Sequence, residues 1–279
     1  MNLEIFAEIA GGLDHPEGVA RGPDGSLYAG GEAGQVYRLD GDGSAVEVGS
    51  TDGFLFGIAL DAAANVFACD FGTGSLARIT PSGEVSTISN GTAVRPMKVP
   101  NFAAFTDDGA LFVTDSGTWG ADEGVIFRVR TDGSTEVWSE GVPAFPNGCC
   151  VTAGGDALLV VESRARRVVR LRIEDDGSAG APETVVDLHG SQPDGVALAA
   201  DGTMLIGCYR PDRIWRVDPD GRPQILAEDP DGVILNQPAN IAFTGPDLDR
   251  IAVSSLGGWS VMGADVGLTG LPLRYPDFS

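Results

Sequence analysis

Six short hydrophobic segments recur along this 279-residue chain and set its fold more than any other feature: PEGVA from Pro16, LFGIAL from Leu55, PNFAAF from Pro100, PNGCCV from Pro146, PDGVAL from Pro193 and PANIAF from Pro238. Aligned on one position, they place Glu17, Phe56, Asn101, Asn147, Asp194 and Ala239 in register, with spacings of 39, 45, 46, 47 and 45 residues. An even period of this size marks a repeat fold, in which each unit buries its apolar face against the next. Each segment is followed by a turn cluster and a second apolar run, as in GPDG then SLYAGG, TDDG then ALFVTD, and AADG then TMLIGC. That pattern predicts a hairpin. Third runs follow (QVYRLD, SLARIT, VIFRVR, RVVRLRI, RIWRVD, WSVMGADV), then fourth runs (AVEVGS, VSTIS, TEVWSE, ETVVDL, PQILAE). Helical periodicity is nearly absent.

Four antiparallel strands per repeat predict an all-β, six-bladed β-propeller occupying residues 1–279 as a single domain. A β-sandwich would not explain six matching starts. The sixth repeat lacks a fourth run, and the N-terminal NLEIFAEI, with Leu3, Ile5, Ala7 and Ile9 alternating, is expected to complete the last blade and remove an open edge.

In a propeller the first strand of each blade lines the axis, so the aligned residues converge at one end of the tunnel. Glu17, Asn101, Asn147 and Asp194 then form an oxygen-only set with a formal charge of −2. Such a set suits Ca²⁺, with another divalent cation as the alternative; zinc would want His or Cys, and the two histidines, His15 and His189, lie outside the ring. Taken singly, Pro146-Asn147-Gly148 and Pro193-Asp194-Gly195 have the composition of turns, as Pro23-Asp24-Gly25 does. Register separates them: the first two precede their apolar segments and the third follows its own. A hydrogen-bonded, metal-free polar tunnel is the competing reading.

The connections after the second strands, beginning near Gly31, Asp70, Asp115, Glu162, Tyr209 and Ser255, are expected to wall the pocket on the ring face. Candidate substrate contacts are His15, Asp115, Trp119, Arg164, Tyr209, Arg210 and Trp259, each with an ordinary surface role as its alternative. His15 could act as a base, orient a ligand or cap a strand. Cys149, two residues after Asn147, turns toward the tunnel as a small lining residue.

Forty acidic against 18 basic residues leave a net charge of −22, which repels a phosphate backbone and argues against a nucleic-acid partner. A well-solvated surface, adapted to salt, is the simpler reading of that charge. No run of eighteen apolar residues offers a membrane span, and MNLEIFAEIA does not resemble a secretory leader. Cys69, Cys149, Cys150 and Cys208 contain no CxxC pair and read as reduced thiols. A cytoplasmic protein acting on a small molecule is expected.

The stretches HPEGVARGPDGSLYAG, PNFAAFTDDGALFVTDSG, PNGCCVTAGGDALLVVES and QPDGVALAADGTMLIG resemble the family of gluconolactonases, senescence marker protein and luciferin-regenerating enzyme. The resemblance implies a six-bladed propeller whose divalent metal, commonly calcium, is held by Glu17, Asn101, Asn147 and Asp194, with Asn101 binding directly or through water. Diisopropylfluorophosphatase is similar in the same four residues. Sugar-lactone hydrolases of the family often carry Arg two residues before the third-blade Asn, where this chain has Val99. A less polar lactone is therefore as well indicated as a gluconate-type one. The resemblance implies a calcium-dependent hydrolase opening a lactone or ester, with Asp194 activating water or, alternatively, attacking directly. Hydrolysis of phosphotriesters or fluorophosphates at the same centre and a non-catalytic, ligand-binding propeller are the alternatives. A strictosidine-synthase-like enzyme, which ordinarily lacks this ligand set, is a more distant one.

Overall fold

A computed structural model describes residues 3–278. Each repeat folds as a four-stranded antiparallel sheet, and six such sheets form the blades. Blade 1 runs from its inner strand Val19–Arg21 through Leu27–Gly30 and Gln35–Leu39 to its outer strand Ala45–Ser50. The inner strands of blades 2 to 6 are Leu55–Leu60, Pro100–Phe105, Pro146–Val151, Gln192–Leu198 and Pro238–Thr244.

The second strands, such as Leu111–Asp115 in blade 3 and Ala157–Glu162 in blade 4, are buried along their whole length. They carry no polar alternation because both faces of each sheet are covered by neighbouring blades. The core is accordingly six interblade clusters. Phe67, Leu111 and Phe127 pack between blades 2 and 3, Val161, Val168 and Ile206 between blades 4 and 5, and Ala29, Ala252 and Val261 between blades 6 and 1.

Blade 6 closes the ring by taking its outer strand from the other end of the chain. Ala7–Gly11 pairs antiparallel with Ser260–Asp265, from Ala7 opposite Gly263 to Gly11 opposite Ser260. The expected alternation from Leu3 to Ile9 is corrected here. Leu3–Ile5 forms a 3₁₀ turn, in which Phe6 N–H donates to Leu3 C=O at 3.0 Å, and the register shifts between Glu8 and Ala10. Phe6 and Ala10 consequently enter the core, while Ile5 stays exposed.

Beyond Asp265 the described residues add no further strand. It crosses the face opposite the ring and touches every blade. Tyr275 Oη donates to Arg21 C=O at 2.8 Å, Ala62 N–H to Pro276 C=O at 2.9 Å, Leu271 N–H to Leu198 C=O at 2.9 Å and Gly270 N–H to Leu248 C=O at 2.8 Å. Arg274 pairs with Asp107 and donates to Thr152 C=O at 2.8 Å, and Phe278 packs on Phe67. Between this segment and the ring lies a cavity of about 150 Å³, bounded by Val19, Ile58, Ala103, Cys149, Val196 and Ile241. These are the residues two positions beyond each ring member. Cys149 thus lies where alternation predicts, and burial pushes its thiol well above the ordinary range.

Candidate metal centre and its rim

Glu17, Asn101, Asn147 and Asp194 are all buried at the mouths of their inner strands. The amide of Asn147 donates from Nδ2 to Ser163 Oγ at 3.1 Å. Its Oδ1, together with Asn101 Oδ1 and Asp194 Oδ1, has no hydrogen-bond partner in the protein. A buried oxygen without a partner costs about 1–3 kcal/mol, so three in one register offer free acceptor positions to a bound cation or to water.

The two acids at this level are perturbed by the same burial. Burial raises the Glu17 carboxyl well above its ordinary range, and the charges of Asp194 and Glu32 push it further. Burial pushes Asp194 up to about 7, and what offsets it is the Asn147 side chain rather than a base. The donors are oxygen throughout and carry two acidic groups, so they fit a hard cation such as Ca²⁺.

Glycines bring these oxygens together. Gly18, Gly57, Gly148 and Gly195 directly follow ring positions, and none has a positive φ, whereas Gly25 in Pro23-Asp24-Gly25 sits at +90°. Asn147-Gly148 and Asp194-Gly195 are therefore extended chain inside strands. A Cβ on Gly18 would lie 2.4 Å from Phe56 O, on Gly148 2.5 Å from Gly195 Cα, and on Gly195 2.3 Å from Asn240 Oδ1. Only glycine lets neighbouring backbones approach this closely at the axis.

Hydroxyls brace the same level. Thr114 Oγ1 donates to Asn147 C=O at 2.8 Å and Ser116 Oγ to Pro146 C=O at 2.6 Å, tying blade 3 to blade 4. Ser254 Oγ and Asn240 Nδ2, the latter at 3.0 Å, both donate to Glu17 C=O and tie blade 6 to blade 1. Thr114 and Ser254 occupy the same place in their second strands, next to last. That shared register is the signal by which the sequence could have revealed them.

At the rim, buried acids fasten the connections. Asp115, expected among the substrate contacts, is buried, and its carboxylate accepts N–H bonds from Lys98 (2.6 Å), Val99 (3.1 Å) and Gly117 (3.0 Å). Asp70 accepts from Phe54 N–H at 3.0 Å and Thr73 N–H at 3.1 Å, and Glu162 from Ala144 N–H at 3.0 Å and Arg167 Nε at 2.6 Å.

The remaining candidates divide. Trp259 Nε1 donates to His15 Nε2 at 2.8 Å, which puts the imidazole proton on Nδ1, facing Asp14 at 3.1 Å and Glu32 at 3.2 Å. Both nitrogens of His15 thus have partners. Trp119 is exposed and edges onto Phe145 at 4.8 Å. Arg164 is paired with Asp122, and Arg210 lies 3.7 Å from Asp212. Tyr209 and Arg210 belong to the strand Met204–Arg210, separated by Pro211 alone from Asp212–Val217. The Tyr209 hydroxyl is raised by burial, then by the charges of Asp194 and Glu17.

The profile of the SMP-30/Gluconolactonase/LRE-like region matches residues 93–257, more than half of the chain, including the ring residues Asn101, Asn147, Asp194 and Ala239. The chain belongs to this family. A profile for the N-terminal part of strictosidine synthase-like proteins matches residues 6–39. The pentonolactonase XacC of Haloferax volcanii is 24% identical over 238 residues, which cover 81% of this chain and 76% of that protein. Among solved structures, a luciferin-regenerating enzyme superposes with a TM-score of 0.82 at 17% identity, covering 98% of this chain and 99% of that one. A gluconolactonase from Xanthomonas campestris gives 0.80 at 18%, covering 93% and 89%. The calcium-binding protein regucalcin from Agrobacterium tumefaciens gives 0.79 at 17%, covering 97% of each chain. At these identities the superpositions establish the propeller.

Proposed function

We propose that this protein is a hydrolase that opens a lactone ring at a divalent cation, calcium in the first instance, held by Glu17, Asn101, Asn147 and Asp194. The observation that carries the reading is the set of three buried, unpartnered oxygens on Asn101, Asn147 and Asp194 beside the second buried acid Glu17. Family membership and the pentonolactonase and gluconolactonase relatives support lactones as the substrate class.

When bound there, the cation supplies Lewis-acid polarisation of the lactone carbonyl. Asp194 takes the proton of the attacking water, whose oxygen bonds to the acyl carbon. The acyl C–O bond of the ring then breaks, and the departing alkoxide takes that proton from Asp194, giving the hydroxy acid and restoring the carboxylate. Asn147, oriented by Ser163, keeps its amide oxygen fixed throughout. Tyr209, whose hydroxyl is raised by burial and by the charges of Asp194 and Glu17, remains a neutral donor.

Elemental analysis of the purified protein, followed by lactone assays before and after chelation, tests the cation. Loss of hydrolysis on chelation and recovery with Ca²⁺ is expected, and full activity of metal-free protein would refute the requirement. Asp194→Asn is expected to lower kcat by about 10²- to 10⁴-fold, the usual worth of a general base. Unchanged kcat with metal retained removes Asp194 from that role. Phosphotriesters in the same panel separate lactone opening from phosphoryl chemistry, and turnover of neither, with metal retained, would mark a binding propeller.

A further inference from the structure

Among the described residues, the large aromatic side chains that stand exposed are Phe71 at 43%, Trp119 at 48% and Trp259 at 63%. All three lie in connections that follow second strands, in blades 2, 3 and 6, on the face where the ring opens. Exposed aromatic surface gathered on one face of a chain with a net charge of −22 points to a ligand.

In blade 2 that surface is continuous with the centre. Phe71 stacks on Phe56, with ring centroids 5.4 Å apart and planes within 13°, and Phe54 meets both edge-on at 5.2 and 5.8 Å. Phe56 is itself a ring member, so the three phenyl groups form a shelf running from the rim down to the level of the ligand oxygens. The shelf is built rigidly. Phe71 N–H donates to Phe54 C=O at 2.8 Å, and Phe54 N–H to the buried Asp70 carboxylate at 3.0 Å. Glycine is required at both hinges: a Cβ on Gly72 would lie 2.7 Å from Phe54 N, and one on Gly53 2.2 Å from Asp70 Oδ1.

Two cations of the neighbouring rim are already paired. Lys98 is paired with Glu123 at 2.9 Å, Arg164 is paired with Asp122, and Val99 stands two residues before Asn101. Hydroxyl groups laid against three phenyl rings would lose water without gaining partners.

Resting on the lactone-opening reading, we infer that the substrate is a lactone bearing an apolar aryl or alkyl substituent, which lies on the Phe54–Phe56–Phe71 shelf while its carbonyl faces the ring oxygens.

The test uses the calcium-loaded protein with dihydrocoumarin, γ-nonalactone and glucono-δ-lactone. The first two are expected to exceed the sugar lactone in kcat/KM by about tenfold or more, the discrimination an apolar site gives for a few carbon atoms. Phe71→Ser should lower the apolar-to-sugar ratio about tenfold, mainly through KM, and Phe71→Leu should restore most of it. Calorimetry with 3-(2-hydroxyphenyl)propanoate and gluconate reads the shelf without turnover: the aryl acid should bind more tightly, and Phe71→Ser should weaken it. If no lactone turns over but this binding pattern holds, the hydrolase reading fails and the shelf stands. A preference for the sugar compounds, or ratios unmoved by Phe71→Ser, overturns the shelf. So does a dimer that Phe71→Ser dissociates, since the aromatic face would then be a self-association surface.

Discussion

Gly148 lies where the inner strands of blades 4 and 5 pack backbone against backbone, between the residues that follow Asn147 and Asp194. In Gly148→Ala the new Cβ would fall 2.5 Å from Gly195 Cα and 2.7 Å from Asp194 O, and neither backbone atom can move without shifting a ring residue. Overpacking of this kind costs about 1–3 kcal/mol. We expect a lower urea midpoint together with weaker calcium binding; an unchanged midpoint and unchanged affinity would show that the blades separate freely. The role of Asn147 and Asp194 as axis-facing residues was legible only through register, because the tripeptides around them have turn composition. The part played by Gly148 was not legible, since the atoms it must avoid belong to a segment 47 residues further along the chain.

At the level of the elements, buried acids at the ends of second strands hold the connections that lead into the inner strands. Asp115 gathers three N–H groups from the two connections that flank it, and Asp70 and Glu162 do the same with fewer bonds. Asp115→Ala removes the acceptor and leaves buried donors, which is expected to destabilise the protein by on the order of 3 kcal/mol. Chemical denaturation measures this, and Asp115→Asn, which keeps one acceptor oxygen, should recover part of the loss. Equal stability of Asp115→Ala and the parent would return the residue to the pocket wall. The strand containing Asp115 is legible in ALFVTD, but the N–H groups its carboxylate accepts from are not. Lys98 and Val99, which it binds, lie far enough upstream that no local pattern links them to it.

Across the whole molecule, closure depends on both chain ends. Ala7–Gly11 completes blade 6, and the segment from Leu268 to Phe278 sutures all six blades on the face opposite the ring. Deleting residues 270–278 removes the buried Phe278 and the anchors Arg274 and Tyr275 and opens the apolar cavity. At about 1.5–3 kcal/mol for each large apolar side chain lost, the melting temperature should fall by roughly 10 °C or more. A thermal melt of the calcium-loaded protein checks it, and an unshifted transition would show the segment to be an ornament on an already closed ring.

The repeat by itself determined the propeller, the number of blades, the N-terminal strand exchange and the identity of the four oxygen-bearing ring residues, because a regular period of strands permits one closed arrangement and equivalent positions must meet at its axis. Tertiary structure alone decided what surrounds that ring. The close-approach glycines, the hydroxyl braces from Thr114 and Ser254, the engagement of both His15 nitrogens, the acids beneath the rim, the Phe54–Phe56–Phe71 shelf and the C-terminal suture all join residues from different blades or connections. Their partners are set by how the blades pack against one another, and strand periodicity carries no record of those distances.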